Sequence, residues 1–144
     1  MATRSRIGLQ LKDDSILSVY HHWDGYPEWL GVTLNKKFNT FDKVAELIDG
    51  GDLSCCDSDS DWERNKFTET RPLYYNDRGE KTEPKLHLNI DDYFDIGEEY
   101  AYVFTSEGNW ECYDLSHSYN DNYSRTNTNA RSIPIPDEYP NRIK

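Results

Sequence analysis

The sequence predicts an α+β domain: an antiparallel sheet of two β-hairpins with two short helices packed on it. Three observations predict this. Apolar and polar residues alternate over 6–11 and resume at Leu17 and Val19, the period of half-buried strands. Between 28 and 49 apolar residues recur at helical spacing and are punctuated by capping residues. Residues 100–115 form two runs of aromatic and β-branched residues around Ser106-Glu107-Gly108-Asn109, a second hairpin.

In the first hairpin Ile7, Leu9 and Leu11 share one face, and Arg6, Gly8 and Gln10 the other. A turn at Asp13-Asp14-Ser15 would pair Leu11 with Leu17 and Leu9 with Val19, keeping the aliphatic residues together. That register sets Arg6 opposite His22 and Gly8 opposite Tyr20, with a slot beside the tyrosine ring. A one-residue slip would set Arg6 opposite His21 instead. Asp24-Gly25-Tyr26-Pro27 is a turn into a helix, with Pro27 suited to its first position. Leu30, Leu34 and Phe38 line one face of 28–38. Asn39-Thr40 caps a second helix at 41–49, with Phe41, Val44, Leu47 and Ile48 as its buried stripe and Gly50-Gly51 as its stop.

Residues 54–66 read as an exposed acidic loop, Leu73-Tyr74-Tyr75 as a short strand and Asn76-Asp77-Arg78-Gly79 as a turn. Residues 90–96 fit no single pattern. Residues 1–115 are expected to form one domain. Residues 116–144 are expected to be a polar tail with too few apolar residues for a core of its own. Such a tail either lacks order or packs on a neighbouring subunit.

A chain of 144 residues suits one domain, and 35% hydrophobic content implies a modest core. Aromatic residues at 14%, eleven of them Tyr, offset this because each buried ring removes a large area from water. The tyrosines line the core edge and an oligomer interface, or they contact a ligand. With 27 acidic against 16 basic residues the net charge is -11, which argues against bulk nucleic acid and an anionic membrane as partners. A small anion can bind where arginines reverse the local field; alternatively, the acidic surface docks on a basic protein. No signal-like apolar run follows Met1 and no ~18-residue apolar span occurs, so the cytoplasm is the expected location. Three cysteines, two of them adjacent (Cys55, Cys56, Cys112), make no disulfide framework and suit a reducing compartment.

Asp57, Asp59 and Asp61 imitate the opening of a calcium loop, but Trp62 stands at its sixth position and Thr68 at its twelfth. The four histidines and three cysteines lack zinc-site spacing. Neither a phosphate loop nor a nucleophile with its base is marked. No metal, cofactor or catalytic residue is therefore expected. What remains is Arg4, Arg6, Tyr20, His22, Trp23 and Tyr26, converging at one end of the hairpin. Arginine forks grip phosphate, and rings stack on bases for ~1–3 kcal/mol each. The bland alternative is that the arginines pair with carboxylates while Trp23 and Tyr26 fill the hairpin–helix junction. Two stacks and a few charge-assisted hydrogen bonds give roughly 8–15 kcal/mol gross, against association costs of ~4–15 kcal/mol. A tight site therefore needs a second subunit or the Arg78 loop to close over the ligand.

Thr3-Arg-Ser-Arg-Ile-Gly8, Tyr20-His-His-Trp-Asp-Gly-Tyr-Pro27, Tyr75-Asn-Asp-Arg-Gly-Glu80 and the Tyr-rich hairpin with Gly108-Asn109-Trp110 resemble a group of small tailed-bacteriophage proteins, mostly uncharacterised. The resemblance covers 3–53 most closely, 73–80 and 98–113 more loosely, and leaves out the last ~30 residues. Asn76 departs from the tyrosine or histidine often found before the Asp-Arg-Gly-Glu run, and the acidic loop is an addition. The group is in turn similar to phage sponges of the anti-CBASS kind, non-enzymatic homo-oligomers that sequester cyclic dinucleotide defence signals. That resemblance implies a host-cytoplasmic immune-evasion protein that binds a cyclic nucleotide without cleaving it. Arg4 and Arg6 would hold phosphate, Tyr20, Trp23 and Tyr26 would stack, and His22 and Arg78 would assist. Two alternatives stand beside it: an acidic protein that inhibits a host defence protein by charge mimicry, and an enzyme of unknown reaction.

Overall fold

A computed structural model describes residues 3–56, 72–115 and 130–140. Their strands form an eight-stranded sheet with helices on both faces, so the α+β class holds. The sheet is mixed, which corrects the all-antiparallel expectation. Strands β1 (Ser5–Gln10) and β2 (Ile16–His21) form the first hairpin. The second, β6 (Tyr100–Phe104) with β7 (Trp110–Asp114), joins it along a parallel β1–β6 seam. The reason lies in β6, where Ala101, Tyr102, Val103 and Phe104 are all buried. A strand apolar on both faces belongs at the centre of a sheet. Its parallel register sets Ile7 beside Tyr102 and Leu9 beside Phe104.

The register of the first hairpin is two residues from the expected one: Leu9 pairs with Leu17, Ile7 with Val19, Arg6 with Tyr20 and Gly8 with Ser18. The turn closes earlier, at 12–14. Leu11 N donates to Ser15 O over 2.8 Å, Asp13 accepts from the Ser15 amide, and Asp14 takes φ 69°. Because the shift is even, every side chain keeps its face. Arg6 therefore faces Tyr20 rather than His22. The slot expected beside Gly8 is filled, since a Cβ there would lie 2.7 Å from Ile16 Cγ2 and 3.1 Å from Tyr93 Cζ.

Four further strands extend the sheet: β3 (Leu53–Cys55), β4 (Leu73–Tyr74), β5 (Lys85–His87) and β8 (Arg131–Ile133). The order is β4-β3-β2-β1-β6-β7-β8. The outer edge of β2 is shared, with β3 parallel at His21 and β5 antiparallel at 16–18. A parallel β2–β3 pair needs a crossover, and the helices after Tyr26 supply it. A π-helical turn at Pro27–Gly31 runs into α1 (Val32–Lys37), followed by α2 (Phe41–Asp49). Thr40 caps α2 by accepting from Lys43 N over 3.2 Å, and Gly50-Gly51 ends it with Gly51 at φ 91°. The residues left unassigned around 90 form α3 (Ile90–Phe94), capped by the Asn89 side chain.

Two cores result. Leu30, Leu34, Val44, Leu47 and Ile48 pack on Ile7, Leu9, Val19, Tyr102 and Phe104. On the opposite face Tyr93 of α3 packs with Ile16, Ala101, Val103 and Leu115. Phe41, expected in the stripe of α2, is instead 53% exposed, because it stands at the first helical position beyond the sheet's cover. Ser54 and Cys56 are buried where an exposed loop was expected, since β3 begins at Leu53. The rest of that loop, including Asp57, Asp59 and Asp61, lies outside the described residues. Residues 130–140 of the expected tail join this chain's own fold through β8, and residues 116–129 lie outside the description. Among the described residues no helix is long and apolar enough to cross a membrane.

Candidate ligand-binding site

Strand alternation puts Arg4, Arg6, Gly8, Ser18, Tyr20 and His22 on the face opposite the main core. Arg6 Nε donates to Ser18 Oγ over 2.9 Å, and Ser18 Oγ also lies 2.8 Å from His87 Nε2. These contacts tie the guanidinium of Arg6 to β2. Arg4 is exposed, and its carbonyl accepts from Glu99 N, tying it to the approach to β6. Among the described residues neither arginine makes an ion pair. Glu98 is the carboxylate nearest in effect. Burial pushes its pKa up, while Arg6, Arg4 and Lys85 pull it back. Three cations thus bear on one partly buried acid.

Tyr20 and His22 lie along the same face, with 2.6 Å between Tyr20 Oη and His22 Nδ1 and 5.8 Å between ring centroids. Burial raises the Tyr20 pKa, Arg4 opposes this, and Tyr75 and Asp52 add to it. Tyr75 opens the 3-10 turn Tyr75–Arg78, and the Arg78 guanidinium sits 5.7 Å from the centre of the Tyr75 ring. Arg4, Arg6, Tyr20 and His22 thus share one face, while Arg78 lies against Tyr75 in the 3-10 turn. Asn76 has its own role. Its amide donates to Gly50 O and Thr82 O, and its carbonyl accepts from Thr82 N and Oγ1, latching the turn to the end of α2.

A scan of protein-family models, a search of curated proteins and a search of solved structures return no match. The site therefore stands on its geometry.

Trp23 and Tyr26 sit differently from the others. The Trp23 ring meets His22 edge-on at 4.7 Å but lines a separate cavity on the helix side of the sheet. Tyr26 opens the helical turn, its carbonyl accepting from Trp29 and Leu30. Gly25 makes this junction possible: its amide donates to Thr3 O, its carbonyl accepts from Tyr102 Oη, and a Cβ there would lie 2.7 Å from Thr3 O. The cavity holds about 410 Å³ between Trp23, Trp29, Lys36, Lys37 and Tyr139. A second, acid-rimmed cleft has Leu9, Leu17 and Ala45 as its floor and Asp42, Glu46 and Asp49 along α2.

Lys85 and Glu98 were not singled out by sequence. Lys85 stands opposite Ser18 through a β2–β5 pairing across 67 positions, and no local pattern announces such a pairing. Trp29, Lys36, Lys37 and Tyr139 were missed for a similar reason, because the C-terminal segment completes their cavity.

Proposed function

We propose that this protein binds and holds a small anionic, base-containing ligand without cleaving it, a cyclic nucleotide defence signal in the host cytoplasm being the class the phage resemblance implies. The observation that carries this reading is that strand alternation sets Arg4, Arg6, Lys85, Tyr20 and His22 on one face of the sheet, in a chain of net charge -11. The guanidinium forks would take phosphate oxygens, Tyr20 and His22 would offer ring faces, and Arg78 would close from the Tyr75 turn. Arg6 keeps its Ser18 bond and has donors left over. The face is half-exposed, so a tight complex needs a second copy to cover the ligand, in line with the cost of association.

The test is to incubate the protein with a panel of cyclic nucleotides, remove free ligand, boil, and examine the supernatant. Intact nucleotide released from the wild type, and none from Arg6→Ala, supports the reading. Hydrolysed product in the supernatant would point to an enzyme.

A second reading rests on the cleft beside α2, whose apolar floor and carboxylate rim suit a basic amphipathic segment of a host protein. Its signature is salt-sensitive capture of one host protein that survives Arg6→Ala and fails on Glu46→Lys.

A further inference from the structure

The cavity between the π-helical turn and the C-terminal segment is built differently from the arginine face, and it bears on function independently of the reading above. Trp29 and Tyr139 form one wall, their ring centroids 5.5 Å apart and their planes within 30°. Trp23, 45% exposed, also lines the cavity, as do Cys55 and Cys56. Tyr139 is held in place by its hydroxyl, 2.8 Å from Thr33 Oγ1, and the segment is tied again where Lys36 Nζ meets Glu138 at 3.0 Å. Ile135 packs so closely on Gly31 that a Cβ there would lie 3.0 Å from Ile135 Cγ2. The wall is therefore assembled by several independent contacts.

The polar groups of the lining are of three kinds. Lys36 and Lys37 bring positive charge from the last turn of α1. Asp24, held at φ 56° by the turn before the helix, brings a carboxylate. His21 is buried and stays neutral, its pKa pushed down to about 3 by burial, with Nε2 accepting from Cys56 N. Flat rings suit a nucleobase, ammonium groups suit a phosphate, and a carboxylate suits the ribose hydroxyls. A volume of about 410 Å³ lies toward the small end of the ~300–1,000 Å³ typical of ligand pockets, which favours one nucleotide over two.

We infer that this cavity is a binding site for a nucleoside monophosphate, with the base against Trp29 and Trp23, the ribose toward Asp24 and the phosphate at Lys36 and Lys37. Lys36 would exchange Glu138 for the phosphate on binding. The C-terminal segment is thereby part of a site rather than an appendage.

The test is calorimetric titration of the whole chain with adenosine 5′-monophosphate, and with adenosine as the uncharged control, at low salt. The expected result is saturable one-to-one binding of the monophosphate, about tenfold tighter than adenosine. Lys36→Ala combined with Lys37→Ala, both at exposed positions, should abolish that preference. Trp29→Ala should weaken both ligands by ~5-fold or more, with thermal melts checking the fold. Arg6→Ala should leave both affinities unchanged, so this site and the arginine face can fail separately. Absence of saturable monophosphate binding, equal affinity for adenosine, or a preference for the monophosphate that survives the double lysine variant would overturn the assignment.

Discussion

Gly8 sits on the face of the sheet that Ile16 and Tyr93 cover. A Cβ there would press on Ile16 Cγ2 at 2.7 Å and on the Tyr102 carbonyl at 3.1 Å, and neither is the free end of a flexible chain. Gly8→Ala should therefore destabilise the fold by ~1–3 kcal/mol, measured by denaturant unfolding. A neutral result would mean that α3 can move away from the sheet. The motif containing Gly8 was visible in the sequence, but the use of its missing side chain was not. The register that fills the slot depends on Asp13, Asp14 and Ser15 closing the turn early, a choice between turns of similar composition. The arginines show the same division. Alternation was enough to place Arg4 and Arg6 on the face of Tyr20 and His22, whereas Glu98 and Lys85 come from strands and loops far along the chain.

At the scale of elements, the bounds of helix α2 were legible because its cap, stop and most of its stripe are local signals, Phe41 excepted. Its Thr40 cap gives a direct check: Thr40→Ala should cost ~1 kcal/mol, since Lys43 N then loses its acceptor within the helix terminus. Strands β3, β5 and β8, at three residues each, are too short for a period to show, and their pairing is settled by tertiary contact. Helix α3 was ambiguous at five residues, its burial resting on Tyr93 alone. The Asn76 latch also belongs here. Asn76→Ala removes the acceptor for Thr82 N and both donations to backbone carbonyls. Amide exchange at Thr82 and Asp52 should accelerate, while the amides of β1 keep their protection. Unchanged exchange at Thr82 would show that the turn holds itself.

For the molecule as a whole, acid sensitivity follows from two buried imidazoles. Burial lowers the pKa of His21 to about 3 and that of His87 to about 4, from 6.5, with Arg6 and Lys85 assisting at His87. The folded state keeps both rings neutral, while the unfolded chain takes up two protons as pH falls through 6.5. Stability should therefore drop by about 1.4 kcal/mol per histidine per pH unit below 6.5 and down toward 4. Glu98 acts in the opposite sense, because its folded pKa is raised and its protonation relieves the buried charge. Urea midpoints between pH 7 and 4.5 measure the balance, and His21→Gln should remove about half of the histidine slope. A slope unchanged by His21→Gln would mean that this ring is not desolvated as the fold requires. Composition foretold the strong negative charge of the whole, which the face of Arg4 and Arg6 interrupts in the proposed reading.

That interruption is the centre of the account, and the most direct measurement is nucleotide retention by the wild type against Arg4→Ala combined with Arg6→Ala, alongside their thermal melts. Arg4 is exposed and Arg6 bonds to Ser18, so the double variant should melt within a few degrees of the wild type. Intact cyclic nucleotide should boil out of the wild type and none from the variant. Equal release from both, or a cooperative loss of fold in the variant, would contradict the proposed reading.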